Sequence, residues 1–193
     1  MAKSAVKHGI RLANPYDLFA LENLLAKAID ESGGLYPDYD QAHFFHSSLM
    51  LIDKKFVFVG CSVNEAEKKE RILGCLALEP KKWSHNPHAP ILESVYFYVL
   101  PEGRAVTLDD GKTPLWRGLI DAAKHMATLA SYSKDHEGQV HFMPIPLRVE
   151  LMFMLGTDNR AGAKDELLKG AGFHYTGGNH IFVPDPKAAE KAA

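Results

Sequence analysis

The sequence predicts an α/β fold in which a mixed, mostly antiparallel sheet of about seven strands carries helices on both faces. Three observations predict it. β-Rich runs follow one another early in the chain and alternate with helix-patterned runs later, in the order β-α-α-β-β-β-α-β-α-β-β. The run Ile91–Leu100 is apolar on both faces, with Val95, Phe97 and Val99 against Leu92, Tyr96 and Tyr98, as a strand buried in mid-sheet requires. Helix starts are marked by Asn14-Pro15 and Thr113-Pro114, each a capping side chain followed by a proline that suits the first helical position.

The elements follow in order. His8–Ala13 is a first strand, and Leu18, Leu21, Leu25, Ala28 and Ile29 recur at helical spacing until Gly33-Gly34 ends the helix. Residues 35–41, rich in Tyr, Pro and Asp, form a loop, and 42–51 a short second helix. Phe56–Val63 and Arg71–Leu78 make a hairpin across the charged turn Asn64–Glu70. After the central strand, Leu115, Leu119, Ala123, Met126 and Ala130 give a third helix, Pro114–Tyr132, its buried stripe. Pro146–Leu155 is the next strand, parallel to Ile91–Leu100 and beside it, because a helix makes the crossover. Gly156–Asn159 turns into a helical run, Arg160–Ala171, and Gly172-Phe173 opens a short strand pair broken at Gly177-Gly178. No repeat or linker interrupts the order, so residues 1–193 form one domain with its core over 8–183 and a polar tail at 184–193.

Composition narrows the function. Apolar residues make up 46% and charged residues 24% of the 193, a globular mixture. Lys and Arg number 22 against 24 Asp and Glu, with no basic block among aromatics, which argues against nucleic acid as partner. No apolar run approaches the ~20 residues of a membrane span, and the first residues lack the apolar core of a signal peptide. Cys61 and Cys75 lie within strand-like runs without metal or redox spacing, so they read as buried free thiols of a cytoplasmic protein. The pairs His43/His46 and His85/His88 lack a third ligand at the usual spacing, and no metal is expected.

A strand, an asparagine in the following turn, a helix and a Gly-Phe that opens a hairpin resemble the C-terminal half of the GNAT acyltransferases. The whole element order extends that resemblance over about residues 8–183. It implies acetyl-CoA as co-substrate and acetyl transfer to a primary amine, on a small molecule or a protein, by a monomer or homodimer. It also implies that the end of the central strand, around Tyr98 and Val99, pairs with the pantetheine amides. The loop that follows would hold the pyrophosphate on its N–H groups and on the next helix terminus, where an anion is favoured. Arg104 and Gly111-Lys112-Thr113 are the candidates, although the glycines of the family loop are missing and Asp109 and Asp110 bring unfavourable charge. Read as residues alone, 101–113 is equally a solvated connection. Asn159 matches the asparagine that contacts the pantetheine arm, and it also suits a cap for the helix beginning at Arg160.

Direct transfer needs a base for the amine. Glu93 matches the position where some GNAT members keep a glutamate; otherwise it is a strand-end residue in water. Glu150 is either paired, with Arg148 or a lysine, or lines the cleft. The family's acid, a tyrosine four residues before the glycine of Gly-Phe, corresponds to Leu168, which leaves Tyr175 or Tyr132 as substitutes. The resemblance places the acceptor near 33–41 and the hairpin turn around 177–180, where Tyr36, Tyr39 and His180 offer contacts. The missing acid and loop glycines also fit an alternative, a GNAT fold without catalysis that binds another protein.

Overall fold

The computed structural model describes residues 6–31, 39–83, 86–134, 136–149, 161–176 and 179–185. Strand β1 (Val6–Leu12) leads into a 3-10 turn (Pro15–Asp17) and helices α1 (Leu18–Glu31) and α2 (Gln41–Asp53). Then come β2 (Val57–Asn64), β3 (Lys69–Trp83), β4 (Asn86–Val99), a helical turn α3 (Pro101–Arg104) and α4 (Leu115–Ala130). The chain continues through β5 (Tyr132–Lys134), β6 (Val140–Phe142), β7 (Leu147–Arg148), α5 (Ala161–Gly170), β8 (His174–Thr176) and β9 (Asn179–Phe182). Seven strands form one sheet in the order β1-β2-β3-β4-β7-β9-β8, with β4 and β7 parallel and the other pairs antiparallel. The predicted fold class and the predicted parallel neighbours are both present. No helix among the described residues is long and apolar enough to cross a membrane.

Sequence cues account for most element starts. Asn14 accepts from the Tyr16 amide while Asp17 accepts from the Asn14 amide at 2.8 Å, a reciprocal cap with Pro15 inside it. The α4 start differs from expectation. Pro114, not Thr113, is the N-cap residue, and no side chain caps that end. The α4 stripe also shifts: Leu115, Gly118, Leu119, Ile120, Ala123 and Ala127 are buried, whereas Ala130 is exposed in the last turn. Glycine permits the close approach of α4 to the sheet. A Cβ at Gly60 would meet Leu115 Cγ at 2.9 Å, and one at Gly118 would meet Leu108 Cδ1 at 2.7 Å. The helical turn α3 and the small β5–β6 sheet were not expected. Both free cysteines are buried, and loss of water pushes Cys61 to about 11 and Cys75 to about 12.

Arg11 fastens the β1 edge. Its guanidinium donates to both oxygens of Asp17, at 2.7 and 2.9 Å, and to both of Glu70, at 2.9 and 2.7 Å. The Arg11 hydrogen bonds hold the Glu70 carboxyl below the usual carboxylate range. A depressed folded value means that the stabilisation is complete above the unfolded value of about 4.3 and is lost as pH falls through the lower folded one. Glu70→Gln should therefore cost at most about 1 kcal/mol near neutrality, since the pair is partly solvated. Urea midpoints of the two proteins should converge once the pH has fallen below the lowered folded value; a gap that persists there would mean that the charge is not what stabilises.

Candidate active site

The site begins with a change of register in β4. Ala77 lies opposite Tyr96 but Leu78 lies opposite Ser94, so Val95 is an extra residue bulged out of the pairing. The bulge decides which backbone groups face away from β3. Leu100, just past β4, donates to Leu73 at 2.8 Å, so Tyr98 and Tyr96 are the β4 residues in phase with it that bond to β3. Phe97 and Val99 then present their N–H and C=O groups toward the β7 side. Tyr98, expected beside Val99 as a backbone contact, has its main chain engaged with Cys75; its ring lies on the α1 face. Parallel pairing with β7 is described at Leu92↔Leu147 and Glu93↔Arg148, immediately before the bulge.

Arg104 folds back onto this strand end. Its Nε donates to the Val99 carbonyl at 3.0 Å, its Nη2 to Glu31 at the end of α1, and its guanidinium carbon lies 5.7 Å from the Tyr98 ring centre. A side chain thus occupies the carbonyl that the bulge turns outward. Burial, with the Glu31 carboxylate adding to it, pushes the Tyr98 phenol well above its usual range.

The loop 105–114 is closed on itself. Gly111, at φ +66°, donates to the Leu108 carbonyl at 2.8 Å, and the amides of Lys112 and Thr113 both donate to Asp110 Oδ1 at 2.8 Å. Those hydrogen bonds, led by the Thr113 hydroxyl and amide, hold the Asp110 carboxyl below its usual range. Asp109 turns to the β1 edge, where its Oδ1 accepts from the His8 amide at 2.8 Å. The three N–H groups at Gly111-Lys112-Thr113 are therefore satisfied internally, two of them by a carboxylate in place of a ligand anion.

Glu93 lies on the face of the sheet that carries α1 and α2, with its side chain 17% exposed. Its Oε1 is 2.9 Å from Arg148 Nη1 on β7, and its Oε2 is 2.9 Å from Lys81 Nζ on β3. Tyr175 is on β8 and 56% exposed. It pairs across to His180, on the same face as Phe182, whose ring lies 4.6 Å from Lys124 Nζ of α4. That is the opposite face of the sheet from Glu93. Three strand spacings of ~4.8 Å separate the two strands, about 14 Å in all. Leu168 is buried in the core. Tyr39 donates to Glu22 at 3.1 Å and packs edge-on against Phe44. Tyr36, Asn159, Glu150, Gly177 and Gly178 lie outside the described residues.

Sequence reasoning missed three features. Lys81 and Arg148 around Glu93 were each visible as a charge in a strand run, but not their convergence. The Arg104–Glu31 contact spans 73 residues and leaves no local signal. A groove beside Val95, lined by His43, Ser47 and Glu79 among others, brings a helix and two strands together; the polar face of 42–51 was its faint trace.

This architecture is that of the GNAT acetyltransferases. An acetyltransferase of that family from Listeria monocytogenes superposes with a TM-score of 0.52 over 91% of this chain and 93% of its own, at 15% identity. An aminoglycoside N-acetyltransferase, AAC(6')-Iy, solved with CoA, gives 0.54 over 91% and 93%, at 13% identity. A predicted acetyltransferase from Clostridium acetobutylicum, solved with acetyl-CoA, gives 0.51 over 88% and 92%, at 14% identity. No family model matches the sequence, and no curated protein matches it either. At such identities the likeness is one of fold.

Proposed function

We propose that the chain is a cytoplasmic acetyl-CoA-dependent N-acetyltransferase that transfers the acetyl group to a primary amine by direct attack. One observation carries the reading: the Val95 bulge, directly beyond the parallel pairing, turns Phe97 and Val99 toward the β7 side with groups that an amide-bearing arm pairs with. Glu93 takes the proton of the acceptor ammonium, and the nitrogen attacks the thioester carbonyl. The ion pairs of Glu93 fix its position, and proton uptake requires one cation to release. Coenzyme A leaves as a thiolate, which a thiol of pKa ~8.5 does readily near neutrality, and takes up the second proton that the nitrogen sheds as the amide forms. Tyr175 has no part in this reading, because it stands on the other face. Val99, Arg104, Gly111–Thr113 and Asn159 hold the cofactor, and Tyr36 and Tyr39 border the acceptor; His180, expected with them, pairs with Tyr175 on the other face and has no part there either.

A second reading has an observation of its own. A loop whose amides already bond to Asp110, beside an Arg104 already bonded to Val99 and Glu31, suits a fold that binds a protein partner and has given up catalysis.

Thermal unfolding with acetyl-CoA separates the two. Ligand at one hundred times its Kd adds about 2.7 kcal/mol, or about 5–10 °C for a chain of this length. Arg104→Ala with Lys112→Ala should shrink the shift. Asp110→Asn, which keeps an oxygen for the loop amides but removes the charge, should enlarge it. An unmoved melting temperature at millimolar acetyl-CoA selects the partner-binding reading.

A further inference from the structure

A groove of about 280 Å³ lies between α2 and the β3–β4 pair. Ser47 from α2, Lys54 at its C-cap and Glu79 from β3 supply its polar groups; Met50, Leu51 and Val95 supply carbon surface. Val95 is the extra residue of the β4 bulge, and this explains why a valine of a central strand is 49% exposed. His43 also lines the groove, with its Nε2 3.4 Å from Ser47 Oγ.

Glu79 stands directly opposite Glu93, which places their Cβ atoms ~5 Å apart on one face. Lys81 serves them unequally, 2.9 Å from Glu93 but 3.6 Å from Glu79, and the longer separation is beyond a hydrogen bond. Among the described residues, then, Glu79 presents a carboxylate to the groove that lacks a short ion pair.

We infer that this groove is the acceptor site and that it selects a primary monoamine on a short, unbranched carbon chain. The inference rests on the acetyltransferase reading above. The ammonium lies on Glu79 and the chain against Met50, Leu51 and Val95. Lys54 repels a second cation, which disfavours diamines, and Glu79, the carboxylate that lines the groove, repels a carboxylate, Glu93 being matched by Lys81 and Arg148. An ammonium on Glu79 is one strand from Glu93. Its first proton passes to Glu93, its nitrogen bonds to the acetyl carbon, the C–S bond breaks with its electron pair going to the sulfur of coenzyme A, and the second nitrogen proton passes to that thiolate, which leaves a neutral amide and a thiol.

The test measures binding without acetyl-CoA, by saturation-transfer NMR and calorimetry with n-pentylamine as probe. Wild type should bind it, and Glu79→Gln should weaken binding about fivefold, the upper range for one solvated ion pair. Val95→Trp, which fills the groove, should abolish binding; pentanoate and the diamine of equal length should bind more weakly than the monoamine. Folding of each variant is checked by its melting temperature. No binding to wild type, equal binding to Glu79→Gln, or equal binding of pentanoate overturns the assignment. If the binding pattern holds but added acetyl-CoA yields no acetylated pentylamine, the groove stands and the catalytic reading falls.

Discussion

Replacing Phe97 with alanine should lower the melting temperature by about 6–20 °C. Phe97 lies near the end of β4, opposite Leu76, and both are fully buried in the main hydrophobic cluster. Truncating a buried phenylalanine costs about 3–5 kcal/mol, from lost transfer energy and from the cavity that remains. Small proteins hold only about 5–15 kcal/mol in all, and a chain of this length loses about 2–4 °C per kcal/mol. Urea unfolding checks the cause. The midpoint should fall with the slope unchanged; a changed slope would mean that the denatured or native ensemble has shifted instead.

Glu93→Gln should reduce acetyl transfer at neutral pH by at least about tenfold, a floor set below the ~10²–10⁴ typical of general-base assistance. The loss should shrink as pH rises, because free amine accumulates and needs no base. The structure adds a further expectation. Lys81 and Arg148 both bond to Glu93, so the glutamine variant leaves two cations without their shared anion and stability falls as well. The rate must therefore be read below the onset of unfolding, with acetyl-CoA affinity measured alongside. Normal turnover across neutral and alkaline pH would make Glu93 a structural ion-pair residue and remove the base from the mechanism.

Much of this molecule was legible before folding. The Asn14-Pro15 cap, the β2–β3 hairpin, the central place of β4 and its parallel neighbour all follow from periodicity, caps and the crossover rule, but the expected faces of β4 fail at the bulge, where Val95 leaves the face of Phe97 and Val99 and is 49% exposed beside α2. These signals are local, and one chain segment carries each of them. Boundaries were less legible: β3 runs to Trp83 and β4 begins at Asn86, well beyond the expected Leu78 and Ile91, because the hairpin between them pairs farther than its apolar residues reach. The missing acid at Leu168 was also readable, and its burial beside Ala171 and Phe173 agrees with an apolar role.

The sequence by itself determined the kinds and order of the main strands and helices, though not α3 or the β5–β6 pair, since hydrophobic spacing records which face a long segment buries and short elements carry too few residues for it. Only the tertiary structure decided the chemistry of the site. A single bulged residue, Val95, reverses which β4 groups face the β7 side, and a one-residue change of register leaves no mark on composition. Asp109 reaches a strand 101 residues away, Arg104 a helix end 73 residues away, and Glu93 two cations on different strands. Such contacts depend on how separate segments meet in space, and a pattern read along the chain cannot contain them.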